Sequence, residues 1–164
     1  MEYLLKAFMR RAAQQVYAVT ARGSEGYAAL TATSVTSVSL RPPLMVVAVA
    51  RESRSYRALI AADHFIISML GAGPRGERAS SVLAESRDPE EKLKLVGYRD
   101  TPWGPVVEGS IGYLALRRYS SCAGGDHELI LGEVVGGEPP TGCPLVYTER
   151  GYAALAGCPG DEAA

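Results

Sequence analysis

Residues 26–51, GYAALTATSVTSVSLRPPLMVVAVAR, decide the fold. Thr31, Thr33, Ser34, Thr36, Ser37 and Ser39 are interleaved with Ala, Val and Leu, and Arg41 and Arg51 are the only charged residues. β-branched residues at this density favour an extended backbone, and hydroxyls at alternate strand positions face one side of a sheet. Pro42-Pro43 ends one extended run before LMVVAVA begins the next. The pattern predicts two or three adjacent, mostly buried strands presenting a wall of small hydroxyls and backbone amides. Such a wall suits a flat, polar-edged heterocycle. An ordinary sandwich strand, its Ser and Thr satisfied within the sheet, has the same composition.

Working outward, a short amphipathic helix opens the chain, followed by a strand over 16–21 and a turn over 22–26. Ser53 stands where a helix N-cap belongs, with Tyr56, Leu59 and Ile60 on one side of the helix that follows. A strand is predicted over 64–70, a loop over 71–76, a helix over 77–86, and a second helix opened by Asp88-Pro89. Residues 101–109 read as a turn-rich crossing. Strands over 111–119, 128–135 and 145–148 close the fold, Tyr152 and Leu155 pack a last short segment, and the CPGDEAA tail frays. Six or seven short strands with two or three inserted helices predict a mainly β fold, a closed or nearly closed antiparallel barrel.

The chain has 164 residues, 47% hydrophobic and 21% charged, with a net charge of −1. One domain is expected, its core over about 12–156. The charge balance argues against nucleic acid, and the seven-residue run 44–50 is too short to span a membrane. Lys6, Arg10 and Arg11 break any signal-peptide core, so a cytoplasmic protein is expected. Cys122, Cys143 and Cys158 are widely spaced, which predicts free thiols and no metal site.

Two constellations carry candidate chemistry. Ala50-Arg51-Glu52-Ser53-Arg54-Ser55 joins a strand to a helix N-terminus, where unpaired N–H groups, two hydroxyls and two guanidinium groups suit a monophosphate. A plain N-cap beside solvated arginines is the other reading of the same residues. Gly124-Gly125-Asp126-His127 is a glycine-rich turn in which Asp126 can orient the imidazole. Neither a G-x-S-x-G elbow nor a G-x-G-x-x-G fingerprint occurs.

Residues 26–60, then HFIISML, GGDHELILGEV, PLVY and GY, resemble the flavin reductase family of FMN-binding split barrels, the small reductase partners of two-component flavin monooxygenases. The resemblance runs over about 16–152. It implies a homodimer of split β-barrels that binds FMN, or FAD, and takes NADH or NADPH as substrate. It implies that Thr31, Ala32, Thr33 and Ser34 line the isoalloxazine edge, that Ser37 and Ser39 lie beneath it, and that Ala50, Arg51, Glu52, Ser53, Arg54 and Ser55 hold the ribityl phosphate. Gly125, Asp126 and His127 then meet the nicotinamide dinucleotide, with Tyr152 beside the same cleft. Arg41 departs from the acidic residue usual before Pro-Pro, and residues 73–103, without a close family match, are expected to shape substrate access. The activity implied is an NAD(P)H:flavin oxidoreductase. Its cofactors carry the hydride transfer, so no acid–base side chain is obligatory. A flavin-binding sensor or carrier without turnover, and an FMN-dependent ferric reductase, are the alternatives.

Overall fold

The computed structural model describes residues 1–158. In chain order the elements are α1 (Glu2–Arg11), β1 (Gln14–Gln15), β2 (Tyr17–Gly23), β3 (Gly26–Ala32), β4 (Val35–Leu40), β5 (Pro43–Ala50), α2 (Tyr56–Ala61), β6 (His64–Leu70), α3 (Pro74–Ala84), α4 (Pro89–Val96), β7 (Tyr98–Thr101), β8 (Gly104–Val107), β9 (Ser110–Gly124), β10 (His127–Glu138), β11 (Val146–Thr148) and β12 (Gly151–Ala153).

Seven strands form one antiparallel sheet in the order β3-β2-β6-β9-β10-β5-β4. Only Thr33 and Ser34 separate β3 at one edge from β4 at the other, and the Ala48 N–H donates to the Ser34 carbonyl at 3.0 Å. The sheet therefore curls back on itself and leaves a seam between β3 and β5. This is the split β-barrel, mainly β with inserted helices.

Strand alternation sorts the core. Val19 and Ala21 of β2, Val47 and Val49 of β5, Phe65 and Ile67 of β6, Leu116 and Ile130 point into the barrel, and Ala58 and Leu59 of α2 plug it. Gly132 is a packing requirement, because a Cβ there would stand 2.6 Å from the Phe65 ring and 2.7 Å from Leu116 Cβ. On the outer face, Ala18, Ala29 and Leu70 meet Ala79, Leu83, Leu93 and Val96 of α3 and α4, so the two helices are held by a second core. The β7–β8 hairpin covers the rest of that face through Val106, with the Thr20 hydroxyl bonded to the Pro105 carbonyl.

Several expectations change. β4 is an edge strand with Thr36, Ser37, Val38 and Leu40 exposed, so the hydroxyl-rich stretch is not mostly buried. A bulge between Ser37 and Ser39 breaks the alternation, and the strand ends at Ala32, so the hydroxyls do not form one continuous wall. The 101–109 crossing is largely a hairpin, whose Pro and Gly residues read as breakers although only its tip turns. β9 and β10 run further than predicted, and β10 pairs with both β9 and β5 right up to His127, so the pair stays part of the barrel sheet. Cys143 and Cys158 form a disulfide, so the thiol expectation holds for Cys122 alone. Leu155 is exposed, and the tail beyond Cys158 lies outside the described residues. Among the described residues no helix is long and apolar enough to cross a membrane.

Candidate functional site

A cavity of about 570 Å³ opens at the β3–β5 seam, within the ~300–1,000 Å³ typical of small-molecule sites. The strand wall consists of Leu30 to Ala32 of β3, Thr33 and Ser34 of the link, and Ala48 to Ala50 at the end of β5. Glu52, Ser53 and Arg54 continue it around the turn that follows. The helix wall is Leu83 and Ala84 of α3, the linker residues Glu85 and Ser86, and Lys92 of α4, with His127 also lining the cavity.

The turn after β5 is tight because the Ser53 N–H donates to the Ala50 carbonyl and the Tyr56 N–H to the Ser53 carbonyl, both at 3.0 Å. Ser53 thus faces the cavity two residues ahead of the helix cap, which is Ser55. Ser55 is 1% exposed, and its hydroxyl accepts from the Ala29 N–H and donates to the Ala29 carbonyl at 3.0 Å each. It stands in for a neighbouring strand at the free edge of β3. The phosphate contact expected of Ser55 gives way to this structural bond.

Arg51 also turns from the cavity. Its Nε and Nη2 donate to Glu128 Oε2 at 3.2 and 3.0 Å, Nη1 donates to the Gly125 carbonyl at 3.4 Å, and its backbone N–H donates to the Asp126 carbonyl at 3.1 Å. These bonds fasten the β9–β10 turn to the end of β5, and the register sets His127 opposite Ala50. Gly125, at φ +68°, makes the turn that a side chain would strain. His127 Nδ1 and Asp126 Oδ1 are 2.7 Å apart, which leaves Nε2 for a ligand. That hydrogen bond, and then the charge of the ring, holds the Asp126 carboxyl below its ordinary range.

Lys92 is the residue that sequence reasoning missed. It is 4% exposed, and its ammonium donates to the Leu83 carbonyl at 3.0 Å and the Glu85 carbonyl at 3.4 Å, at the C-terminal end of α3. Burial pushes its pKa below the ordinary lysine value; Glu85 and Asp88 pull it back up, and Arg54 adds to the fall. Two cations, Arg54 and Lys92, therefore share one part of the cavity. A legible signal existed: Pro89, Lys92, Leu93 and Val96 are the buried residues of α4, so the lysine occupies the apolar face of its helix.

Of the other expected residues, Thr31, Ala32, Thr33, Ser34, Ala50, Glu52, Ser53, Arg54 and His127 converge on this cavity. Ser37 and Ser39 lie away on β4, where the Ser39 hydroxyl accepts from the Arg41 N–H at 3.2 Å. Gly125 and Asp126 stay on the turn outside the lining, and Tyr152 bonds to Ser80 of α3 instead. A larger hollow of about 790 Å³ beside the β7–β8 hairpin is a weaker candidate. Its Arg99 is already paired with Glu138 at 2.7 Å and lies 5.2 Å from the centre of the Tyr113 ring.

Small hydroxyls and amides along a narrow seam, with two cations at one side, suit a flat ring carrying an anionic tail. Comparisons agree. A family model described as a flavin reductase like domain matches residues 9–156. The reductase component of 4-hydroxyphenylacetate 3-monooxygenase from Thermus thermophilus is 35% identical, over 94% of this chain and 97% of that protein. Flavin reductase (NADH) from Kitasatospora aureofaciens is 32% identical, over 84% of this chain and 73% of its own. The solved NADH:FAD oxidoreductase of Streptomyces globisporus, in complex with NAD and FAD fragments, superposes with a TM-score of 0.85 at 27% identity, over 95% of this chain and 93% of that one.

Proposed function

The chain belongs to the flavin reductase family, and from that premise we propose that it is an NAD(P)H:flavin oxidoreductase working in the β3–β5 cavity. The family match covers residues 9–156, and the protein is taken as one such domain with its core over about 12–156. The observation that carries the site assignment is the buried Lys92 ammonium beside Arg54, in a cavity whose strand wall offers small hydroxyls. A phosphate compensates a buried cation, and a bare carbonyl pair does so only in part.

FMN fits this donor set, and FAD shares its phosphate. Bound flavin supplies the two-electron acceptor, and the nicotinamide supplies the hydride. The chain's residues bind and align. Arg54, Lys92 and Ser53 hold the phosphate, and Thr31, Thr33 and Ser34 offer hydroxyls to the polar ring edge. The helix wall excludes water, and His127, oriented by Asp126, fixes the nicotinamide dinucleotide for transfer. The reduced flavin then leaves for a separate monooxygenase, the class of partner named for the Thermus relative.

A homodimer completes the proposal. α1 buries none of its residues and exposes Leu5 and Phe8, and Leu40 on the β4 edge is 87% exposed. An isolated helix of this length is marginal in water, so a second copy is the natural cover. We place the enzyme in the cytoplasm, where nicotinamide dinucleotides are available.

The test is the visible spectrum of protein loaded with FMN, before and after anaerobic NADH or NADPH. Bleaching of the flavin bands is expected. A yellow protein indifferent to both nicotinamides would make it a binding module, and a colourless protein that takes up no FMN would remove both readings.

A further inference from the structure

β11 and β12 do not line the cavity, yet hydrogen bonds join them to it. The Tyr152 hydroxyl donates to Ser80 Oγ at 2.9 Å and lies 3.1 Å from Ser81 Oγ. Ser80 is buried in α3, and its carbonyl accepts the Thr31 hydroxyl at 2.6 Å. Thr31 lines the cavity. The Tyr152 ring also packs into the cluster that contains Leu83, another lining residue.

What holds Tyr152 there is limited. β12 has three residues and pairs with β11, also of three, through contacts that include the Tyr147–Tyr152 ring pair. β11 also pairs on its other side with β1, so β12 is the edge strand of a small three-stranded sheet and is held to its neighbour by three residue pairs. Buried Leu145 and Val146 anchor one end of the hairpin. The Cys143–Cys158 disulfide ties the end of the second strand back to the start of the first at that same open end, joining residues 15 apart around the whole hairpin. The exposed ion pairs of Arg10 and Arg11 with Glu149 add little.

We propose that Tyr152 is a positioning residue for the cavity hydroxyl of Thr31, locked in place by the Cys143–Cys158 disulfide, so that the redox state of this bond sets how tightly flavin is held. The proposal rests on the flavin reading of the cavity. Reduction by a dithiol breaks the S–S bond. Two electrons and two protons pass to the cysteines, giving two thiols, and the dithiol closes to its own disulfide. The hairpin then frays from its C-terminal end, Tyr152 leaves the Ser80 hydroxyl, and α3 loses a side-chain anchor at the residue whose carbonyl holds Thr31.

The experiment is FMN titration of the full chain, read by flavin fluorescence and by the position of the visible bands, well below the melting temperature of every sample. Oxidised parent, parent treated with dithiothreitol, Cys143→Ser and Tyr152→Phe are compared. Reduced parent and Cys143→Ser are expected to lose FMN affinity by about fivefold or more, with shifted flavin bands. Tyr152→Phe keeps the ring and the disulfide; it should show a similar loss and little further loss on reduction. Reduced parent that melts earlier but holds FMN as tightly would overturn the proposal, as would Tyr152→Phe with parent affinity. An oxidised parent that binds no FMN would overturn the cavity assignment itself.

Discussion

The two walls of the cavity are built on different principles. The strand wall is set by backbone register: Ala50 opposite His127, and Ser55 bonded to the edge of β3. Its side chains are small, and its hydroxyls lie within a few residues of one another in the chain. The helix wall is set by tertiary packing, and its chemistry rests on one buried cation whose partners are carbonyls from another helix. A wall made of register yields to a change that unseats a backbone. A wall made of one charge yields to a change of charge.

The largest effect is expected from unseating the strand wall. Ser55→Ala leaves the Ala29 N–H and carbonyl buried without a partner, a cost of roughly 2–4 kcal/mol for the two groups. Thermal or denaturant unfolding should register that loss. Ser53→Ala, two residues away and facing the cavity, should leave the melting curve in place and weaken FMN by only about 0.5–1.5 kcal/mol. Equal melting curves for the two variants would break the distinction.

Next in size is His127→Ala. The strand pairing of His127 is made by backbone and survives the substitution, so FMN affinity and stability should stay near those of the parent. kcat/KM for the nicotinamide should fall by about tenfold to a hundredfold, roughly 1.4–2.7 kcal/mol. Steady-state kinetics with both nicotinamides decides; unchanged kcat/KM for NADH and NADPH alike would take His127 out of the site.

The same contrast explains what was legible in the sequence. Thr31 to Ser34 and Ala50 to Arg54 each belong to one short run, so propensity and turn chemistry place them together. Ser53 and Ser55, two hydroxyls on one turn, read identically in the sequence, and only the edge of β3 beside Ser55 tells them apart. Exposure of β4 was illegible for a related reason, since the same apolar and hydroxyl mix serves a central or an edge strand. The start of α4 was plain in Asp88-Pro89, whose Asp88 side chain accepts the Glu90 and Glu91 N–H groups. That Lys92 reaches the β3–β5 seam depends on where α4 packs, which no local pattern states. The disulfide depends likewise on the fold bringing Cys143 and Cys158 within a Cα distance of 5.6 Å.

The smallest expected effect is a pair of opposed pH slopes. The folded pKa of Lys92 lies below the ordinary lysine value of 10.5. Between that lowered value and 10.5 the unfolded chain binds more protons than the folded one, so the apoprotein gains stability as pH rises through the window. FMN affinity should fall over the same window, as the cation is lost. Melting temperature and FMN affinity followed against pH should therefore move in opposite directions in the parent, with both slopes diminished in Lys92→Met.

In the proposed site the strand wall and the helix wall meet around a flavin whose phosphate lies against Arg54 and Lys92. Calorimetric titration of parent and Lys92→Met with FMN and with riboflavin, which lacks the phosphate, tests it most directly. FMN affinity should drop by about tenfold to a hundredfold, the scale of a charge-assisted hydrogen bond, while riboflavin binds both proteins alike. An unchanged FMN affinity, or a riboflavin affinity that falls as far as that of FMN, would take the phosphate away from Arg54 and Lys92.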